Sequence, residues 1–226
     1  MIKVAAFDFD GVIAESADIK TEAFRALYAD RPEHVEAVVA HHRANEGISR
    51  YRKFRHIHEE ILGEVYDDAL EAELDARFNG LVFDAVVNAP YVPGAVELLE
   101  LLSARVPTYI VSGTPDAELD RIVESRGLSG YFTGVLGSSK GKPERLREVM
   151  AAEGVTPDEV LFVGDALSDL RASEETGVVF AARITPGDEG RFDGARVAVR
   201  VNDMEALAAL VRDGSLEVAG PKADAL

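Results

Sequence analysis

The stretch Val4–Ala14, VAAFDFDGVIA, decides the fold. Its first residues form a short apolar run, which is typical of a buried strand, and the run leads into Asp8 and Asp10. Two carboxylates that lie two residues apart on an extended segment point to the same side and repel each other. Gly11 follows at once and lets the backbone turn and approach a ligand closely. We interpret this stretch as a strand that leads into a site for a metal and a phosphoryl group.

The chain beyond this stretch shows two kinds of pattern. Residues 16–88 have helical spacing throughout, and we predict helices at Ala17–Ala29, Pro32–Ala44, Ser49–Leu62 and Tyr66–Val86. From residue 89 onward strand and helix patterns alternate, which predicts a parallel sheet covered on both faces. We therefore expect an α/β fold: a Rossmann-like three-layer core formed by residues 1–15 and 89–226, with a helical cap domain inserted at 16–88. The tail after Gly214 is expected to be loose.

Polar residues follow four of the predicted strands. In open α/β sheets, ligands bind at the carboxyl ends of the strands, so these residues are the candidate site. They are Asp8 and Asp10; Ser112, Gly113 and Thr114; Lys140 and Lys142; and Gly164, Asp165 and Asp169. A single Asp-x-Asp or Ser-Gly is often only a turn, and the joint occurrence of the four groups is what indicates a site.

In this order and at these spacings, the four groups resemble the motifs of the haloacid dehalogenase superfamily, in its phosphatase branch with a small helical cap. Asp8-Phe9-Asp10-Gly11-Val12 is similar to the first motif, Ser112 to the second, a lysine near 142 to the third, and Gly164-Asp165-x-x-x-Asp169 to the fourth. Lys142 is favoured over Lys140, because a helix that begins near Pro143 fixes its position. The resemblance implies a phosphatase that works through an aspartyl-phosphate.

The chemistry of these residues gives each a role within that resemblance. Asp8 is the candidate nucleophile, and Asp10 the group that protonates the leaving alkoxide and then deprotonates water. A Mg²⁺ ion would bring the anionic nucleophile to the anionic phosphate. The resemblance implies the Asp8 carboxylate, the Asp10 main-chain carbonyl and Asp165 as its ligands, with Asp169 a direct or water-mediated one. Ser112 and nearby backbone N–H groups, at Gly113 and Thr114, would bind the phosphoryl group, and Lys142 would neutralise its charge.

Gly47-Ile48-Ser49-Arg50 resembles the substrate-specificity loop of the beta-phosphoglucomutases, which reads Gly-x-Ser-Arg. There Arg50 would bind a distal anion bidentately; the alternative is an arginine in water at a helix start. Two departures from the mutase pattern favour a phosphatase. Lys20, which could reach the leaving group, replaces a histidine, and Gly164 replaces an acidic residue. The predicted substrate is a small phosphorylated metabolite, either a sugar phosphate or a phosphoglycolate-like acid, and a phosphosugar mutase is the alternative.

Composition bounds the partners. The net charge of −17, from 24 Lys+Arg and 41 Asp+Glu, disfavours nucleic acids and anionic membranes. The sequence has no run of about 18 apolar residues, so we predict no membrane span, and its first residues lack the pattern of a secretory signal. The absence of cysteine excludes disulfides and fits a cytoplasmic protein. A phospho-acceptor signalling module is a further alternative, but it would be far shorter and have no cap. We expect a monomer or a homodimer.

Overall fold

A parallel sheet of six strands forms the centre of the protein. The computed structural model describes residues 1–185 and 187–220. The strands β1 to β6, in chain order, are Val4–Phe7, Thr108–Val111, Gly134–Leu136, Val160–Gly164, Val179–Arg183 and Val199–Val201. Their order across the sheet is β3-β2-β1-β4-β5-β6, and every neighbouring pair is parallel. This is the α/β architecture that the alternating pattern predicts.

Helices surround the sheet. In chain order α1 to α9 are Ala17–Leu27, Val35–Ala44, Arg50–His56, Asp68–Val87, Ala95–Ser103, Asp116–Ser125, Lys142–Glu153, Leu167–Thr176 and Met204–Arg212. A π-helical turn, Ile57–Leu62, continues α3, so the predicted helix Ser49–Leu62 consists of two parts. Gly63 then ends the turn in the left-handed conformation, with φ +67°.

The register of β1 brings three strand ends together. Phe7 pairs with Ile110 of β2 on one side and with Val163 of β4 on the other. Asp8 continues this pairing, since its N–H donates to the carbonyl of Val163 at 2.9 Å. The strand order changes direction between β1 and β4, which is the switch point where such sheets bind ligands. The residues after β1, β2 and β4 therefore share one crevice.

The core lies on both faces of the sheet. Ala5 and Phe7 pack into one apolar cluster, together with α5 and α9, and the alternate residues Val4 and Ala6 pack into the other. All four residues of β1 are fully buried. A strand that is apolar on both faces is typical of the middle of a parallel sheet, which explains the continuous apolar run at the start of the chain.

Residues 17–87 between β1 and α5 are mainly helical. α1 packs against α2 and α4, and Phe24, Phe54 and Phe78 form the aromatic centre of this segment. Both ends of the segment lie side by side, because Ala14 bridges Tyr91 and the N–H of Glu15 donates to Pro90. The segment therefore leaves the sheet and returns to it at one place.

The structure differs from the sequence prediction at two further points. The helix α5 was not predicted, although Ala95, Leu98, Leu99 and Leu102 recur at helical spacing and are buried. The prediction of a loose tail is wrong for residues 217–219, where Val218 forms a parallel β-bridge with Ile2. The N–H of Ile2 donates to the carbonyl of Glu217, and its carbonyl accepts from the N–H of Ala219. The part of that prediction that falls on residues 221–226 lies outside the described residues.

Candidate active site

Three buried carboxylates meet at the carboxyl ends of β1 and β4. Asp8 follows β1, Asp165 follows β4, and Asp169 lies in the first turn of α8. One oxygen from each residue lies within 4.8 Å of those from both other residues, and the residues are 0–7% exposed. Gly11 permits this approach, since a Cβ there would fall 1.9 Å from Oδ2 of Asp165. Hard oxygen ligands in such a group suit a divalent cation.

Lys142, at the start of α7, supplies a cation to this cluster. Its Nζ lies 2.8 Å from Oδ2 of Asp8 and 2.5 Å from Oδ1 of Asp169. Burial lowers the pKa of Lys142, but the two carboxylates outweigh it and raise the pKa overall. Lys140, the alternative of the sequence analysis, is exposed and pairs with Glu148. Of the two lysines, Lys142 is the one at the carboxylate cluster.

One lysine does not balance three buried acids. Burial raises the pKa of Asp8 to about 7. The negative charges of Asp169 and Asp10 add to this effect, and Lys142 opposes it. Burial, with Asp8 and Asp169 beside it, also raises the pKa of Asp165 well above its usual range. Keeping Asp8 and Asp165 ionised therefore needs a further positive charge. The donor set and this excess of negative charge both fit a Mg²⁺ ion at the cluster.

Asp10 lies beside the cluster but turns its carboxylate away from it. Oδ1 accepts a hydrogen bond from Ser16 at 2.6 Å, and Oδ2 is bound by Lys20. Burial raises the pKa of Asp10, but Lys20 and Ser16 outweigh it and lower the pKa overall. Lys20 also donates to Oγ1 of Thr114 at 2.7 Å. Lys20 is therefore a half-buried partner of Asp10.

The loop after β2 forms another wall. Ser112 is buried, and its Oγ accepts from the N–H of Thr114 at 3.1 Å. Gly113 meets the helical segment: a Cβ there would fall 2.5 Å from the carbonyl oxygen of Gly47. Gly47 has φ +75°, and a Cβ on it would lie 2.1 Å from Oγ of Ser168 and 3.0 Å from Nζ of Lys142. The two glycines let the helical segment touch the strand ends.

Arg50 is buried, at 4% exposure, and is not an arginine in water. Its Nη2 donates to Glu118 at 2.5 Å and its Nη1 to Asp75 at 3.3 Å. The guanidinium also lies over the ring of Phe78, 4.7 Å from the centroid. Two carboxylates therefore already compensate the charge of Arg50.

A cavity of about 50 Å³ separates the helical segment from the strand ends. Asp8, Asp10, Gly113 and Asp165 line it from the sheet side. From the helical side its lining is part charged and part apolar, and its one acid, Glu46, is paired with Arg191. These residues are Ala17, Lys20, Phe24, His42, Glu46, Gly47, Ile48, Arg50, Lys53 and Phe78. Of these, only Lys20, Gly47 and Arg50 were predicted as site residues, and the polar side chains of Lys53, His42 and Glu46 were not. The spacing Arg50-x-x-Lys53 on one helix face is the signal that could have found Lys53.

Comparisons with known proteins agree with this geometry. The family model of haloacid dehalogenase-like hydrolases matches residues 2–177. The phosphoglycolate phosphatase of Rhodospirillum rubrum is 27% identical over 187 residues, which cover 79% of this chain and 78% of that protein. The phosphoglycolate phosphatase of Escherichia coli K12 is also 27% identical, over 198 residues that cover 78% of this chain and 79% of that protein. Such relatives are phosphoric monoester hydrolases, the class predicted from the motifs.

Solved structures share the fold. A predicted phosphatase from Clostridium acetobutylicum superposes with a TM-score of 0.73 at 16% identity and covers 94% of this chain and 99% of that one. The protein CbbY from Rhodobacter sphaeroides, solved with phosphate, gives a TM-score of 0.68 over 92% of this chain and 96% of that one, at 16% identity.

The chain belongs to the haloacid dehalogenase-like hydrolases and is an enzyme of that family. The superfamily, the Rossmann-like α/β fold and the enzyme class predicted from the sequence are thereby confirmed. In the part of the chain that the structure describes, no helix combines the length and the apolar character that a membrane crossing requires.

Proposed function

We propose that this enzyme is a Mg²⁺-dependent phosphatase that hydrolyses a small phosphorylated metabolite through an aspartyl-phosphate on Asp8. The observation that carries the proposal is the buried contact of Asp8 with Lys142, beside Asp165 and Asp169, at the switch point of the sheet. A nucleophilic carboxylate, a fixed cation and a hard-metal donor set are the parts that phosphoryl transfer to an aspartate needs. The relatives named phosphoglycolate phosphatase support the same reaction.

In the proposed first step, Asp10 is protonated in the substrate complex. An Asp8 oxygen attacks phosphorus, the bond from phosphorus to the ester oxygen breaks, and Asp10 gives its proton to that oxygen. In the second step, water attacks the aspartyl-phosphate and Asp10 removes a proton from it. The bond from phosphorus to Asp8 then breaks, which releases inorganic phosphate and restores the carboxylate. Lys20 and Ser16 hold the Asp10 carboxylate in place. The cavity over Asp10 holds the leaving group.

Asp8, Asp165 and the main-chain carbonyl of Asp10 would hold the Mg²⁺ ion, whose charge would offset that of the nucleophile and the phosphate. Both oxygens of Asp169 already accept hydrogen bonds, one from Lys142 and one from the N–H of Ala166 at 3.0 Å. We therefore assign Asp169 to holding Lys142 and reaching the ion through water. Ser112, with the backbone at Gly113 and Thr114, would bind the transferring phosphoryl group.

We assign the helical segment as the cap, residues 16–88, and residues 1–15 and 89–226 as the catalytic core. The two connections between the parts support this division. They lie side by side at Glu15 and Pro90, and two neighbouring connecting segments can act as a hinge. Gly47 of the cap and Gly113 of the core touch over the site, which fits a cap that closes on substrate. The substrate pocket thus comprises residues of both parts, including Lys20, Gly47 and Arg50.

A phosphatase fits better than a mutase at residue 164. A Cβ on Gly164 would fall 2.4 Å from Cβ of Asp169, so the acidic residue of the mutase pattern has no room there. Interconversion of beta-glucose 1-phosphate and 6-phosphate is the assay that separates the two reactions. The cytoplasmic location and the oligomeric state stay predictions from the sequence.

Phosphate release from p-nitrophenyl phosphate tests the proposal. We expect release with Mg²⁺, none after chelation with EDTA, and none from Asp8→Asn with Mg²⁺ present. Full activity in EDTA would contradict the metal assignment, and full activity of Asp8→Asn would contradict the nucleophile.

A further inference from the structure

Lys53 is a buried cation of the pocket that has no acidic partner among the residues that the structure describes. It lies on α3, one helical turn after Arg50, and is 4% exposed. Within residues 1–185 and 187–220, it forms no ion pair with a carboxylate. The other two lysine or arginine side chains that line the cavity are compensated, Lys20 by Asp10 and Arg50 by Glu118 and Asp75.

The surroundings of Lys53 hold its ammonium group in place. Nζ lies 3.1 Å from Nδ1 of His42 and 5.5 Å from the centroid of the Phe24 ring. Burial, together with the nearby Lys53, lowers the pKa of His42 to about 2, so the ring is neutral and Nδ1 accepts from the ammonium. The His42 ring is itself stacked on Phe24, at 4.5 Å between centroids. One of the three donors of Lys53 is used, and two remain for a ligand.

An unpaired buried ammonium group destabilises a folded protein, so its retention in a substrate cavity indicates binding of an anion. The phosphoryl group itself is accounted for by Lys142 and the residues after β2, on the sheet side of the cavity. Lys53 faces the same cavity from the cap. It therefore lies where the leaving-group part of a phosphate ester would be, not the phosphorus.

We propose that Lys53 binds a carboxylate on the leaving group, and that the natural substrate is a small phosphomonoester carrying a carboxylate. This inference rests on the proposed function and assigns the substrate class of the same site. The cavity volume of about 50 Å³ leaves room for a short leaving group. The apolar side chains of Phe24, Ile48 and Phe78 cover its carbon atoms. Arg50, whose charge is compensated, would shape the pocket rather than bind the anion.

Two esters of equal length test this inference: 2-phosphoglycolate, which has the carboxylate, and 2-hydroxyethyl phosphate, which lacks it. Wild-type enzyme is compared with Lys53→Met, which keeps an unbranched side chain of nearly the same length and removes the charge. We expect kcat/KM for 2-phosphoglycolate to fall roughly 10- to 100-fold, mainly through KM, since a hydrogen-bonded charge is lost. For 2-hydroxyethyl phosphate we expect less than about a 3-fold change. Lys3→Met, which removes an exposed lysine paired with Glu159, should change neither.

The outcomes separate the two proposals. A wild-type enzyme that hydrolyses both esters equally well, or a Lys53→Met enzyme that slows on both equally, overturns the role of Lys53 and leaves the phosphatase intact. No hydrolysis of any phosphomonoester by wild-type enzyme with Mg²⁺ overturns the proposed function itself. If Lys53→Met does not fold, Lys53→Gln is assayed in the same way. Lys53→Arg keeps the charge and should recover part of the preference for 2-phosphoglycolate.

Discussion

The ammonium group of Lys142 lies 2.8 Å from Oδ2 of Asp8, and both groups are almost completely buried. A second buried acid, Asp169, holds the same ammonium from the other side at 2.5 Å. The cation is therefore fixed beside the proposed nucleophile before any substrate arrives. Such preorganised charge stabilises the transition state of phosphoryl transfer, because no reorganisation is needed during the reaction.

Replacing Lys142 by Met should abolish most of the activity. We expect kcat to fall roughly 100- to 1000-fold, since a preorganised charge at the reacting centre is removed. The variant should also unfold at a lower temperature in EDTA, because Asp8 and Asp169 lose the cation between them. Phosphate release and thermal unfolding measure the two effects. A Lys142→Met enzyme that keeps a kcat within about 3-fold of wild type would contradict the role of this lysine.

The contact of the cap with the core should depend on Gly47. Gly47→Ala should lower kcat/KM strongly, because its Cβ would meet Ser168 and approach Nζ of Lys142. Gly63 offers a matched control: it has φ +67°, and no atom lies within 4 Å of an added Cβ. Gly63→Ala should therefore lose only about 1–2 kcal/mol of stability from the left-handed conformation and keep its activity. Equal activity losses in both variants would show that backbone strain, not the cap contact, is responsible.

The buried pair of Arg50 and Glu118 should stabilise the closed arrangement of cap and core. Arg50→Met should lower the free energy of unfolding by about 3–5 kcal/mol, since Glu118 is left as an uncompensated buried charge. The double variant Arg50→Met/Glu118→Leu should recover most of that loss, because the remaining partner of Arg50, Asp75, is 31% exposed and no buried charge is left unpaired. Chemical denaturation measures all three proteins. A double variant less stable than Arg50→Met would contradict this account of Arg50.

The preference for a carboxylate should decrease as the pH rises through neutrality. Burial, assisted by Lys20, lowers the pKa of Lys53 to about 7, so the free enzyme loses this positive charge above that pH. The titratable groups that face it are Lys20 from α1, the neutral His42 from α2, Glu46 from the following loop, and Asp10 and Lys142 from the core. The kcat/KM ratio of 2-phosphoglycolate to 2-hydroxyethyl phosphate should thus fall above pH ~7.

Taking the ratio of the two esters cancels the titration of groups that act on both. In Lys53→Met the ratio should be low and independent of pH. A wild-type ratio that stays constant or rises between neutral and alkaline pH would contradict the assignment of Lys53.

The candidate site at the carboxyl end of the sheet was predictable because its signals are local. Asp8 follows an apolar run that can only be a central strand, and Asp165 follows another. Ligands collect at such strand ends, so their proximity follows from the topology. The helix α5 had an equally local signal, in four buried residues at helical spacing. It was not predicted because it lies between two features with stronger sequence signals, the turn at Gly94 and the strand β2.

The pocket was less predictable because its contacts are long-range. Arg50 is bound by Asp75, 25 residues away, and by Glu118, 68 residues away. No spacing rule connects residues at such separations. Lys53 reaches His42 only because α3 lies beside α2, so its missing acidic partner becomes visible in the folded chain alone. Local patterns thus predict the reaction, and the packing of the cap indicates the substrate.

A phosphoryl group bound to Asp8 would test the central claim most directly. Asp10→Asn enzyme, mixed with p-nitrophenyl phosphate and Mg²⁺, should form the aspartyl-phosphate, because this leaving group needs no proton. The variant lacks the base for the second step, so the intermediate should accumulate until an acid quench. Mass spectrometry of the digested protein should then find one phosphoryl group on the peptide that contains Asp8, and none when Asp8 is also replaced by Asn. Phosphate release from the double variant, or a phosphoryl group on another residue, would contradict the account.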